Sequence, residues 1–250
     1  IDLFCLLGQL WHEESVRDLV AAIQQTGSYL AEMRGKNTPF IGNAIRLFLT
    51  GLEADDGSSV ITLRATLEER RNEYFQQSRL RMERIARYGS QILGKCSTLL
   101  AFDYSSTMAR ILAELAEQDH FLQVIVPESR VLDGGFPVVE AATQAGHRVT
   151  YLVDMGIAHV FPRCDAVLIG AETILANGDC WNTVGSYLLG VLAHYHKVPF
   201  YVASELMKLD FRSLHGYHRP IIPHDNSRTL GYPGRFTTPH LVDVMAPDLD

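Results

Sequence analysis

Two carboxylates, two serines and an arginine stand where this chain could do chemistry on a phosphorylated molecule. Phe102-Asp103-Tyr104-Ser105-Ser106 closes an apolar run and opens a helical one. Two hydroxyls beside the free N–H groups of a helix start form a natural phosphate cradle. Further on, Pro127-Glu128-Ser129-Arg130-Val131-Leu132-Asp133-Gly134-Gly135 puts a guanidinium between an apolar run and a Gly-rich turn. That arrangement suits bidentate phosphate binding. A third segment, Ile169-Gly170-Ala171-Glu172, leads to Asn177-Gly178 and then to Trp181-Asn182-Thr183-Val184-Gly185-Ser186. Gly170 permits close backbone approach, Asn177-Gly178 is a tight turn, and Asn182 opens the next helix. Asp103 and Glu172 would form an acid–base pair if the charge of one raised the pKa of the other.

These residues act together only if the fold gathers them. Five short apolar runs, 97–103, 122–128, 148–154, 166–172 and 200–205, alternate with helical stretches at 105–118, 135–146, 156–161 and 183–196. Continuous apolar strands separated by helices predict a parallel sheet covered on both faces, with right-handed crossovers. The runs end on Asp103, Glu128, Asp154, Glu172 and Glu205. In an open parallel sheet ligands bind beyond the carboxyl ends of the strands, so these acids are expected to rim a site. Taken singly, each would serve as well as a helix cap.

The first part of the chain has a helical rhythm. Val16, Leu19, Val20, Ile23 and Leu30 recur near the 3.6-residue period within 11–33, and Gly35-Lys36-Asn37-Thr38-Pro39 breaks it. A second helix follows at 40–52, then a polar turn at 54–59. Residues 62–93 read as one long charged helix, a solvated face with i,i+4 pairs. The expected organisation is a helical domain over 1–95 and a parallel-sheet domain over 96–250, an α/β chain.

Composition excludes several classes of function. The chain has 250 residues and a net charge of −7, so direct nucleic-acid binding through bulk charge is not expected. No apolar run reaches the roughly 18 residues of a membrane span. Cys5, Cys96, Cys164 and Cys180 stand far apart, which fits reduced thiols and a cytoplasmic location. The start, Ile1-Asp2-Leu3-Phe4-Cys5-Leu6-Leu7, carries an acid and no basic leader, so it is not read as a signal peptide. Without an initial Met, the chain is expected to begin inside its gene. His215, His218, His224 and His240 crowd a Pro-rich segment with no regular element to align them on zinc. There is no Walker motif and no GxGxxG, so no cofactor is expected.

Taken in order, these motifs resemble one family. The stretch 126–210 is similar to the regulatory alpha, beta and delta subunits of translation initiation factor 2B. Their superfamily also holds methylthioribose-1-phosphate isomerase and ribose-1,5-bisphosphate isomerase. The resemblance is carried by Glu128-Ser129-Arg130, Asp154, Gly170-Ala171-Glu172, Asn177-Gly178, Asn182 and Gly185, then by Lys197-Val198-Pro199-Phe200-Tyr201-Val202, Glu205 and Lys208. Residues 231–244 faintly match the family's closing segment. The resemblance implies a Rossmann-like C-terminal domain, a homodimer or higher oligomer formed through it (also suggested by the apolar stretch 186–193), and a sugar-phosphate pocket between the two halves. Candidate ligand-binding residues are Arg34, Ser105, Ser106, Arg130, Gly170, Asn182 and Lys208, with phosphate expected between Ser105 and Arg130. The family's isomerases use a Cys after the first strand and an Asp after Gly-Ala; here Asp103 and Glu172 stand there, and Thr183 replaces a Lys. Ser105-Ser106 with Arg110-Ile111-Leu112 is more like the delta-type subunits. The resemblance therefore implies a regulatory protein binding a small sugar phosphate or nucleotide monophosphate. Two alternatives stay open: an aldose–ketose isomerase using Asp103 and Glu172, and a structural subunit with a vestigial pocket.

Overall fold

In the computed structural model, residues 1–54 and 59–217 are described with their side chains. Beyond them the backbones of three strands are described: Pro223–Asp225, Thr237–Pro239 and Leu241–Val244. The chain forms two compact units, Ile1–Arg81 and Met82–Asp250, which divide within a long helix. That helix, α4 (Val60–Ile92), has no breaker at the division, so local sequence carries no mark of it.

The first unit is helical. α1 (Asp2–Leu10) and α2 (Val16–Leu30) are followed by a π-helical turn, Ala31–Gly35, and by α3 (Pro39–Leu49). Ser15 caps α2 by accepting the Asp18 N–H at 3.2 Å, and Pro39 opens α3 where a missing N–H costs nothing. Phe4, Leu19, Ile23, Phe48 and Leu67 form its core, with the Phe4 and Phe48 rings stacked at 5.4 Å. Arg70 donates to the carbonyls of Phe48, Thr50 and Gly51, satisfying acceptors that α3 leaves open at its end.

The second unit holds a five-stranded, all-parallel sheet. Its strands are β1 (Thr98–Phe102), β2 (Gln123–Pro127), β3 (Arg148–Leu152), β4 (Ala166–Ile169) and β7 (Phe200–Val202), in the order β3-β2-β1-β4-β7. Alternate residues serve opposite faces. Leu99, Ala101, Val124, Val126 and Leu168 pack with α5 (Ser106–Glu117) and α6 (Gly135–Gln144). Leu100, Phe102, Ile125, Val167 and Ile169 pack with α7 (Ile157–Val160) and α8 (Ser186–His196). Burial on both sides is why the strands read as unbroken apolar runs. At the β3 edge the rule relaxes, and Arg148, Thr150 and Tyr151 are exposed. Asp165 fastens the start of β1 to the turn before β4 by accepting the N–H groups of Ser97 and Thr98, both at 2.8 Å.

Two expectations need correction. The strands stop before their acids: β1 ends at Phe102 because Asp103 adopts a left-handed φ of 59° that a strand cannot hold, and β2 ends at Pro127, two residues before Ser129 at φ 47°. Thr183 is not in the helix either. It ends β6 (Cys180–Thr183), which pairs antiparallel with β5 (Thr173–Ile174) and β10 (Leu241–Val244). Gly185, at φ 107°, then prevents α8 from starting before Ser186.

The strand order reverses direction between β1 and β4, and the crevice beyond their ends is where such a sheet binds ligands. Among the described residues no helix is long and apolar enough to cross a membrane. Leu99 is fully buried at the middle of the sheet. Leu99→Ala is expected to lower stability by about 2–5 kcal/mol, measured by urea denaturation followed by circular dichroism.

Candidate functional site

A cavity of about 460 Å³ opens beyond the ends of β1 and β4. Seven of the nine residues expected to form the site line it: Asp103, Ser105, Ser106, Gly170, Glu172, Asn182 and Lys208. Tyr104, Leu132, Ala171 and Thr183 complete the wall. Asp103, Tyr104 and Ser105 belong to the turn between β1 and α5. Ser105 stands at the N-cap of α5 with no side-chain capping bond, so its hydroxyl is not spent on the helix. Gly170 is required by close approach, since a Cβ there would lie 2.8 Å from the Ser105 Cβ. Lys208 crosses from the 3₁₀ turn Leu206–Lys208 and donates to the Ala171 carbonyl at 2.6 Å, which holds its ammonium on the wall. Asn182, buried on β6, donates to the Ser186 hydroxyl at 2.9 Å.

Arg130 and Arg34 are placed differently. Arg130 is exposed and is not among the residues lining the cavity. Asp154 accepts the N–H groups of Ser129 and Arg130 at 2.8 and 3.0 Å and turns the segment so that the Ser129 hydroxyl faces inward. Arg34 is exposed in the π-helical turn of the other unit.

Asp103 is the centre of the polar network. Its carboxylate accepts the hydroxyl of Thr183 on one oxygen and that of Ser129, at 3.2 Å, on the other. The Tyr104 N–H adds a third donor. Removal from water pushes the Asp103 pKa above the usual carboxylate value, the nearby charge of Asp154 adds to the rise, and the three donors oppose it. A Cβ on Gly134 would fall 1.7 Å from the Asp103 Oδ1, so this position must be glycine for the carboxyl to sit where it does.

Thr183 and Ser129 were not singled out from sequence as site residues. The signal for Thr183 was the departure itself, a small hydroxyl beside Asn182 where the resembled family carries a long cation. Among the described residues no three His, Cys, Asp or Glu side chains gather as a metal site. Of the four histidines near the C-terminus, only His215 has a described side chain.

With this geometry established, comparison with known proteins gives a match to the initiation factor 2 subunit family over residues 3–250. The chain belongs to that family. Among curated relatives, a methylthioribose-1-phosphate isomerase from Pelotomaculum thermopropionicum is 30% identical over 178 residues, 67% of this chain and 49% of that protein. A 5-deoxyribose 1-phosphate isomerase from Moorella thermoacetica is 33% identical over 164 residues, 64% of this chain and 46% of that protein. Translation initiation factor eIF2B subunit alpha from Dictyostelium discoideum is 29% identical over 161 residues, 64% of this chain and 50% of the relative. The chain spans about half the length of the curated relatives it matches. The crystal structure of Pyrococcus horikoshii OT3 translation initiation factor eIF-2B has a TM-score of 0.76 at 19% identity, covering 98% of this chain and 82% of that one. A tetrameric eIF2B-beta2-delta2 complex from C. thermophilum gives a TM-score of 0.65 at 22% identity, covering 84% of this chain and 71% of that one. At these identities the structural likeness shows the fold.

The shifted carboxyl of Asp103 has a consequence for stability. The folded state binds its proton more tightly than the unfolded chain, where the pKa is near 3.8. Stability therefore falls as pH rises from that value through the folded pKa, and stays lower above it. Asp103→Asn removes the cost, and Asn tolerates the left-handed backbone. The variant is expected to melt higher than the parent at about pH 7, with the gain gone near about pH 4, as read by scanning calorimetry.

Proposed function

We propose that the cavity is an aldose–ketose isomerase site for a sugar 1-phosphate, with Asp103 as the acid and Glu172 as the base. The observation that carries this is the position of Asp103, a half-buried carboxyl with a raised pKa on the same cavity wall as Glu172. From sequence alone an exposed carboxylate in place of a thiol favours regulatory binding, because an ordinary Asp is a poor proton donor near neutrality. Desolvation works against that objection, because burial raises the pKa of the carboxyl.

Conversion of a cyclic sugar 1-phosphate to the ketose opens the bond between C1 and the ring oxygen. The ring oxygen takes a proton, the C2 hydroxyl gives one up to become a carbonyl, and the C2 hydrogen passes to C1. A neutral Asp103 supplies the first proton and an ionised Glu172 receives the second, so the pair ends one proton transfer away from its starting state. Ser105 and Ser106 at the start of α5, with Lys208, offer donors for the phosphate. The names of the Pelotomaculum and Moorella relatives support the reading, as isomerases of sugar 1-phosphates.

A second reading rests on a specific observation. Both oxygens of Asp103 already accept hydrogen bonds, which favours the ionised form and a pocket that binds without turnover. This is the regulatory reading, binding a sugar phosphate or nucleotide monophosphate, and the Dictyostelium relative is named as an initiation factor subunit. Phosphorus NMR on methylthioribose 1-phosphate and 5-deoxyribose 1-phosphate separates the two. Conversion is expected, falling by about 10²-fold or more in Asp103→Asn and Glu172→Gln while calorimetric binding persists. Binding without conversion in the parent would install the regulatory reading instead.

The exposed face of α8 supports a reading of the assembly. Its inner face, Leu189, Gly190 and Ala193, is buried, while Tyr187, Leu188, Val191 and Tyr195 are exposed on the outer side. The occupant we propose for this stripe is a second copy, as the tetrameric eIF2B-beta2-delta2 neighbour supports. An obligate interface would bury above roughly 2,000 Å². Light scattering is expected to return at least twice the chain mass at micromolar concentration, and Val191→Glu is expected to reduce it to a monomer.

A further inference from the structure

We propose that Thr183 is a positioning residue, whose hydroxyl together with that of Ser129 holds Asp103 in one place through both of its protonation states. The inference rests on the isomerase reading for its kinetic consequence, but the clamp itself is a matter of geometry. Each carboxyl oxygen of Asp103 meets one hydroxyl: Oδ2 meets Thr183 and Oδ1 meets Ser129. A hydroxyl donates to a carboxylate and, by rotating, accepts from a carboxylic acid, whereas an ammonium or a backbone N–H can only donate. A group that cycles between acid and base in a site short of water needs such reversible partners. Otherwise one of its two states leaves a desolvated polar atom unpaired.

The partners are themselves immobilised. Thr183 is buried at the end of β6, where it pairs with Leu241 of β10. Ser129 is buried with left-handed φ, and its N–H is held by Asp154 at 2.8 Å. Asp103 has left-handed φ as well, with Gly134 closing the space beside its Oδ1. Three strained or crowded positions thus converge on one carboxyl, an arrangement that persists only where the surroundings over-determine it. The resulting chain, Asp154–Ser129–Asp103–Thr183, joins the ends of β3, β2, β1 and β6. The charged and titratable groups around Asp103 are Asp154 from the turn after β3 and Tyr104 beside it, with Glu172 and Lys208 lining the same cavity.

The test is the titration of Asp103 in the full chain, followed by carbon NMR of the aspartate carboxyls, with Asp103→Asn identifying the signal. Thr183→Val keeps the shape of the side chain and loses the hydroxyl; Thr183→Ser keeps the hydroxyl. Thr183→Val is expected to move the Asp103 midpoint to higher pH, since a donor to the ionised form is gone, and Thr183→Ser to return it. In turnover, the alkaline limb of the kcat profile should move up with that midpoint. Its plateau should fall about tenfold or more with KM little changed, because the acid is no longer held in line. Ser129→Ala should act in the same direction through the other oxygen, and it decides the matter if Thr183→Val does not fold. An unmoved midpoint in the folded variant overturns the proposal. A moved midpoint in a protein without turnover upholds the clamp and refutes the isomerase reading, so the two are told apart.

Discussion

The central sheet of the second unit is covered by helices on both faces, and this constraint governs where polar chemistry can occur. Residues 99–102 of β1, 124–126 of β2 and 166–169 of β4 all pack into one apolar layer or the other, so no strand interior can present a charged group at tolerable cost. Polar function is displaced to the points where the strands stop. The reversal of strand order between β1 and β4 leaves a crevice there. Asp103 and Glu172 follow those two strands, and both line the cavity there.

Within the cavity, desolvation and hydrogen bonding act on Asp103 in opposite directions. Loss of water and the charge of Asp154 favour the neutral acid; Thr183, Ser129 and the Tyr104 N–H favour the ionised base. The balance falls on the raised side, which brings the group toward the range useful for proton transfer. The hydrogen-bond partners of Asp103 and Ser129 also hold their left-handed backbone, a conformation that persists where partners are fixed on several sides. Gly134 and Gly170 supply the room: one leaves space for the carboxyl, the other lets the end of β4 approach Ser105.

Much of this was legible in the residues taken in order. Apolar runs with alternating helices declare a parallel sheet because burial on two faces leaves no polar positions to interrupt them. Seven of the nine candidate site residues line one cavity because strand-end residues of such a sheet share one edge by topology. Arg130 is exposed and stands outside the cavity lining. What local sequence does not reveal is the path of the backbone there: Asp154, 24 residues beyond Arg130, takes the backbone N–H groups of Ser129 and Arg130, and the Ser129 hydroxyl reaches Asp103. Thr183 was read as the start of a helix because its strand partner lies beyond any local window, at Leu241.

Sequence by itself determined the order of elements, the family and the set of residues that could meet, because periodicity and motif spacing are properties of short stretches. It could not determine the state of Asp103. Whether that carboxyl is a poor donor or a competent acid depends on how much water reaches it and on which hydroxyls and charges surround it. Those neighbours come from the ends of β2, β3 and β6, 26 to 80 residues away. Desolvation and charge proximity are sums over space rather than along the chain, so only the tertiary structure decided them.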